Sequence, residues 1–119
     1  MPLSDRRLKS WYRLLNRKWF GGELPDNTEC WWEACDSIGR TDYDGCATTF
    51  DESTDTWMIR INPAIAWSPR QAKFTLIHEM VHVEDFMRSG LDTKHDVHGT
   101  WFQARMVDLA LSGAFRELW

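Results

Sequence analysis

His78-Glu79-Met80-Val81-His82 sets two imidazoles four residues apart, with a carboxylate directly after the first. On an α-helix residues four apart stand one above the other, so both rings face a common point. Two neutral imidazole nitrogens converging in that way supply half of a tetrahedral Zn²⁺ site. Glu79, beside the first ring, is then within reach of a water activated by the ion and can serve as its general base.

A catalytic zinc also needs a third protein ligand and an open position. One known spacing places a glycine three residues and a histidine six residues after the second ligand. Asp85 and Arg88 hold those places, so that pattern is excluded. The remaining histidines are His95 and His98. A helix climbs about 10 Å from His82 to residue 89, and the loop that follows can span roughly 26 Å, so a return to the metal is easy. His98 is the better candidate, because Gly99 follows it and a helix begins there, giving one imidazole a fixed backbone. His95 lies mid-loop, and Asp96 and Asp108 are carboxylate alternatives.

The elements that must hold these groups can be read outward from the motif. Ser68-Pro69-Arg70-Gln71 is a helix start, with Ser68 as N-cap, Pro69 in the first turn and Gln71 completing a capping box. Gly90 is the stop. Between them Ala72, Leu76, Ile77, Met80, Val81, Val83, Phe86 and Met87 cover most of the helix surface, which predicts burial on nearly all sides. Residues 4–20 form an amphipathic helix with Leu8, Trp11, Tyr12, Leu15 and Trp19 on one side and Arg6, Lys9, Arg13 and Arg17 on the other. Gly21-Gly22 ends it.

Residues 28–34, 46–50 and 56–61 are strands, the last the clearest because Trp57, Ile59 and Ile61 alternate with Met58 and Arg60. Short acidic turns between them predict a small antiparallel three-stranded sheet, and residues 56–61 are the expected edge to which an extended substrate could add. Trp31 and Trp32 point to opposite faces, one toward the core. A last helix spans residues 100–111 and stops near Gly113.

Composition bounds the rest. With 119 residues, 43% hydrophobic and 27% charged, the chain is expected to form one domain over residues 1–119 around a single core. No apolar run reaches the length of a membrane span and no signal peptide precedes the first helix, so no membrane association and a cytoplasmic location are expected. Cys30, Cys35 and Cys46 lack C-x-x-C spacing and read as reduced thiols. The net charge of −4 is uneven: residues 1–22 carry six basic side chains against Asp5, and residues 23–55 carry ten acidic ones against Arg40. DNA affinity is therefore expected to be weak and confined to the Arg6, Lys9, Arg13, Arg17 face.

Taken together, these segments resemble the SprT-like, Spartan-type metallopeptidase domain. The stretch from Asn16 to Pro25 is similar to that family's N-x-x-x-F-x-G-x-L-P pattern, Gly45-Cys46 to its mid-sheet step, and His78 to His82 followed by His98-Gly99-Thr100-Trp101-Phe102 to its split metal motif. The resemblance implies an α+β minimal zincin fold, Zn²⁺ on His78, His82 and His98, Glu79 as catalytic acid and base, and protein or peptide substrates, in some members proteins crosslinked to DNA. No cysteine follows Cys46 in this sequence, so a minimal form without the four-cysteine zinc ribbon many relatives carry is expected. The expected activity is zinc-dependent peptide hydrolysis. The rival readings are a noncatalytic zinc-stabilised interaction domain and a DNA-binding accessory protein. Tyr43, Arg40 and His95 have the chemistry of an oxyanion partner, but no spacing ties them to the metal.

Overall fold

A computed structural model describes residues 5–32, 47–62, 68–89 and 99–116. Within them the order is α1 (Asp5–Trp19), β1 (Glu29–Trp32), β2 (Ala47–Asp51), β3 (Thr56–Ile61), α2 (Pro69–Ser89) and α3 (Thr100–Leu111). This is the expected α+β arrangement, with helix, sheet, motif helix and closing helix in that order.

The sheet departs from expectation in one respect. Its strand order is β1-β3-β2, with β3 antiparallel to β2 but parallel to β1, so it is mixed rather than antiparallel. The β2–β3 link is a hairpin. Its Asp51 carboxylate accepts from the Ser53 amide (3.0 Å) and hydroxyl (2.6 Å), which holds that carboxyl below its usual range, and Asp55 takes a left-handed φ of 54°. A parallel neighbour instead needs a dozen or more connecting residues, and the chain between Trp32 and Thr56 exceeds that. Strand β3 is thus central and paired along both edges, which rules out addition of a substrate strand to it.

Alternation along β3 sends Trp57, Ile59 and Ile61 into the core, where they meet α2. The Trp57 ring stacks on Phe86 of α2 (5.7 Å, 15°) and tilts against Phe50 of β2 (4.9 Å). Helix α2 is buried on most sides, as its composition predicts, through Ala72, Leu76, Ile77, Met80, Val81 and Val83. Burial of each such Leu or Ile side chain is worth about 1.5–3 kcal/mol. Met87 differs from expectation and is 48% exposed. At the helix start the Gln71 amide donates to Ser68 Oγ at 3.1 Å, as the capping motif requires. Of the tryptophan pair on β1, Trp31 is exposed and Trp32 packs against the core.

Helix α1 is fastened to the segment after it by buried polar groups. Asn16 donates from Nδ2 to the Leu24 carbonyl (2.9 Å) and accepts from the Leu24 amide at Oδ1 (3.1 Å). The Gly22 amide returns to the Asn16 carbonyl (2.9 Å) through a turn in which Gly21 and Gly22 have φ of 63° and 72°. The Tyr12 hydroxyl donates to the Pro25 carbonyl (2.7 Å) and lies 2.9 Å from Thr28 Oγ1; desolvation pushes the phenol up to about 12. These bonds explain physically why Asn16, the glycines, Leu24 and Pro25 occur together.

The same clasp absorbs part of the basic stripe. The Lys9 ammonium donates to the carbonyls of Asp26 and Thr28, and burial pushes it below its usual value. Arg13 pairs with Asp26 at 3.1 Å. Two of the four cations expected to face a partner are therefore used within the chain.

Candidate metal centre

Helix α2 carries His78, Glu79 and His82 at its midpoint, and their ligand atoms all lie within 4.8 Å of one another. The two Nε2 atoms are 3.2 Å apart, with the rings nearly perpendicular (79°). Two nitrogens about 2.0–2.1 Å from one ion at a tetrahedral angle stand about 3.3 Å apart, so the observed separation fits shared coordination of zinc. The same separation would also suit a proton held between the rings. Glu79 is buried beside them, with Oε2 3.8 Å from His78 Nε2, so positive charge of either kind between the rings is favoured by the carboxylate. The group can hold a metal ion.

Burial is graded across the group. His82 and Glu79 are buried, whereas the His78 side chain is 31% exposed, so the site opens on the His78 side. The rings are held by aromatic neighbours from two elements. Phe102, in the first turn of α3, stacks on His82 (4.4 Å, 23°) and meets His78 edge-on (5.0 Å, 71°). Phe86 lies beyond His82 at 6.4 Å and is itself stacked on Trp57. A row of rings thus runs from the central strand to the imidazoles and fixes their orientation.

Charged pairs secure the helices around this row. Arg105 of α3 donates from Nε to Glu84 of α2 (2.8 Å), from one terminal nitrogen to Asp108 (2.9 Å) and from the other to the Trp19 carbonyl of α1 (3.0 Å). Asp85, almost fully buried, pairs with Arg88 at 3.1 Å, and the Arg88 guanidinium lies 4.5 Å from the Trp101 ring centroid.

Among the residues singled out from sequence, the structure brings His78, Glu79 and His82 together. Asp108, a carboxylate alternative, pairs with Arg105 and is not part of this group. His95, Asp96 and His98 lie outside the described residues, as do Arg40, Tyr43, Cys35 and Cys46, whereas Cys30 is a buried thiol in the core. Sequence reasoning missed Phe102 as the clamp on both rings and Arg105 as the tie between three helices. The first carried a signal in its place in the split motif; the second carried none beyond its i,i+3 relation to Asp108.

No curated protein and no solved structure matches the chain. The family model described as "SprT-like family" matches residues 8–115, a span that includes the α1 clasp, the mixed sheet, the imidazole pair and the helix that clamps it. The chain belongs to the SprT-like family.

Proposed function

We propose that the protein is a zinc-dependent metallopeptidase that hydrolyses peptide bonds in protein substrates, with His78, His82 and His98 as the ligands. The observation that carries this reading is the 3.2 Å convergence of two imidazole nitrogens beside the buried Glu79 carboxylate. His98 is favoured as third ligand because Gly99 is the N-cap of α3 and Phe102, one turn further on, touches both rings. Zinc at this place would supply Lewis acidity toward the scissile carbonyl and an attacking water.

The chain's own residues do the remaining work. Glu79 takes a proton from the attacking water as its oxygen bonds to the carbonyl carbon, then delivers that proton to the amine nitrogen as the C–N bond breaks. Phe102 and Phe86 keep His82 in the orientation that aims Nε2 at the common point. A purely structural zinc site needs no general base, and retention of Glu79 between the histidines favours catalysis over the noncatalytic alternative.

Proteins associated with DNA are candidate substrates, reached without strong DNA binding by this domain. With Lys9 and Arg13 engaged internally, DNA affinity should fall within the nonspecific range of roughly 10⁻⁴ to 10⁻⁶ M. No described helix is long and apolar enough to cross a membrane, and a cytoplasmic location is part of the proposal.

Metal analysis of wild type, His98→Ala and His95→Ala, beside a broad protein-cleavage assay, tests the reading. One zinc per chain, lost in His98→Ala but kept in His95→Ala, together with cleavage by wild type, is expected. Zinc retained in His98→Ala would remove the third ligand, and wild-type protein that holds zinc but cleaves nothing would favour the interaction domain.

A further inference from the structure

A concave feature lies where α1 meets α2 and the segment after α3. It is a groove of about 340 Å³ walled by Trp11, Leu14 and Trp19 of α1 and by Ala114 after α3, with Lys18 and Lys73 at its margin. Leu14 is 49% exposed, so the helix presents apolar surface here rather than a solvated face. Three cations crowd the two indoles: Arg7 and Lys73 each stand 5.1 Å from the Trp11 centroid, and Lys18 stands 5.8 Å from that of Trp19. No carboxylate lines the groove among the described residues.

From this arrangement we infer that the groove docks a short acidic segment of a partner protein, with one or two apolar side chains against Leu14 and its flanking carboxylates drawn to the net positive charge of the rim. The volume, at the small end of the roughly 300–1,000 Å³ typical of ligand sites, accommodates a few side chains rather than a folded surface. The charge selects the partner's sign, since a segment of like charge would be repelled from this rim in a way that an acidic one is not. Single-stranded nucleic acid fits less well. A bound strand tracks a groove over several nucleotides, whereas about 340 Å³ holds only a few side chains.

The groove is separate from the metal centre. Lys73 precedes His78 by five residues, which turns it about 140° around α2 from the first imidazole. Docking there leaves the imidazoles accessible, and the inference stands whether or not the protein cleaves peptides.

Fluorescence anisotropy with a dye-labelled hexapeptide, Asp-Glu-Leu-Trp-Glu-Asp, tests it, with Lys-Arg-Leu-Trp-Arg-Lys and an oligothymidine as counter-probes and Glu79→Gln protein to prevent turnover. The acidic peptide should bind at least about tenfold more tightly than the basic one, a difference of about 1.4 kcal/mol. Lys18→Glu with Lys73→Glu should remove that preference, and Leu14→Gln should weaken binding of the acidic peptide. Both variants change groove-margin side chains, and unchanged circular dichroism melts show that they fold. A chelator should leave peptide binding intact, which separates failure here from failure of the zinc reading. Equal binding of both peptides, insensitivity to the charge reversals, or competition by oligothymidine would overturn the inference. So would a rise in sedimenting mass abolished by Leu14→Gln, because the occupant would then be a second copy of this chain.

Discussion

Two clusters of buried polar side chains, one on α1 and one on α2, are built on opposite plans. In the α1 clasp, Tyr12 and Asn16 meet backbone groups at 2.7 to 3.1 Å, with the Lys9 ammonium also on carbonyls, so the chain answers its own donors and acceptors. On α2, two ring nitrogens are brought to 3.2 Å of each other with a carboxylate close by, an arrangement suited to a cation from outside. Burial alone therefore does not mark a site. What marks it is the direction of the polar atoms: toward backbone in the clasp, toward a shared point on α2.

The sharpest test of that contrast is Glu79→Gln, which preserves size and removes the base. Proteolysis should fall by about 10²- to 10⁴-fold, while zinc content and melting temperature stay near wild type. A parallel loss of zinc would mean that the carboxylate holds the metal rather than moves a proton. Next in size is Phe102→Ala, which should cost about 3–5 kcal/mol in denaturant unfolding and weaken zinc affinity about 10- to 100-fold in a competition with a chelator. Phe102→Trp, which keeps a ring, should recover most of the metal affinity; failure of that rescue would show that Phe102 serves the core and not the imidazoles.

The clasp has its own signature at high pH. Tyr12 keeps its proton in the fold up to about 12, whereas the unfolded phenol loses it near 10. The stability this burial contributes is full below pH 10 and is lost as pH rises through 12, a total of about 2–3 kcal/mol. Urea unfolding across that range should show the decline in wild type and a flatter profile in Tyr12→Phe, with zinc content unchanged at neutral pH. The smallest effect expected is that of Asn16→Ala, about 1–3 kcal/mol from leaving the Leu24 groups unanswered, again without change in zinc affinity. If either clasp variant lost metal, the two clusters would be one coupled unit.

Local patterns were legible in the residues, and long-range ones were not. The alternation of Trp57, Ile59 and Ile61 and the Ser68 cap follow from periodicity and hydrogen-bond chemistry within a few residues, and both appear as expected. The direction of β1 depends on where a long connection delivers it, which no local pattern encodes, and the antiparallel expectation failed there. Helical spacing puts Lys9 and Arg13 on the face away from the apolar stripe, but a helical wheel separates faces without saying what lies opposite. The Asp26 and Thr28 carbonyls lie opposite Lys9, and the Asp26 carboxylate lies opposite Arg13. In the site, helical spacing alone brings His78 and His82 together, whereas the ring that orients them comes from another helix and was visible only as part of a motif.

Arg105 has a consequence for how the molecule is made. Its bond to the Trp19 carbonyl joins residues 86 apart in sequence, so the end of the first helix waits for a partner made long after it. At ribosomal rates of about 5–20 residues per second, that wait lasts roughly 4 to 17 seconds. During that time Trp19, Phe20 and the α2 helix lack the guanidinium that binds them, and Phe102, three residues before it, has not yet covered the histidines. The imidazoles are thus synthesised before the ring that clamps them, and the first helix before the arginine that ties it to the other two.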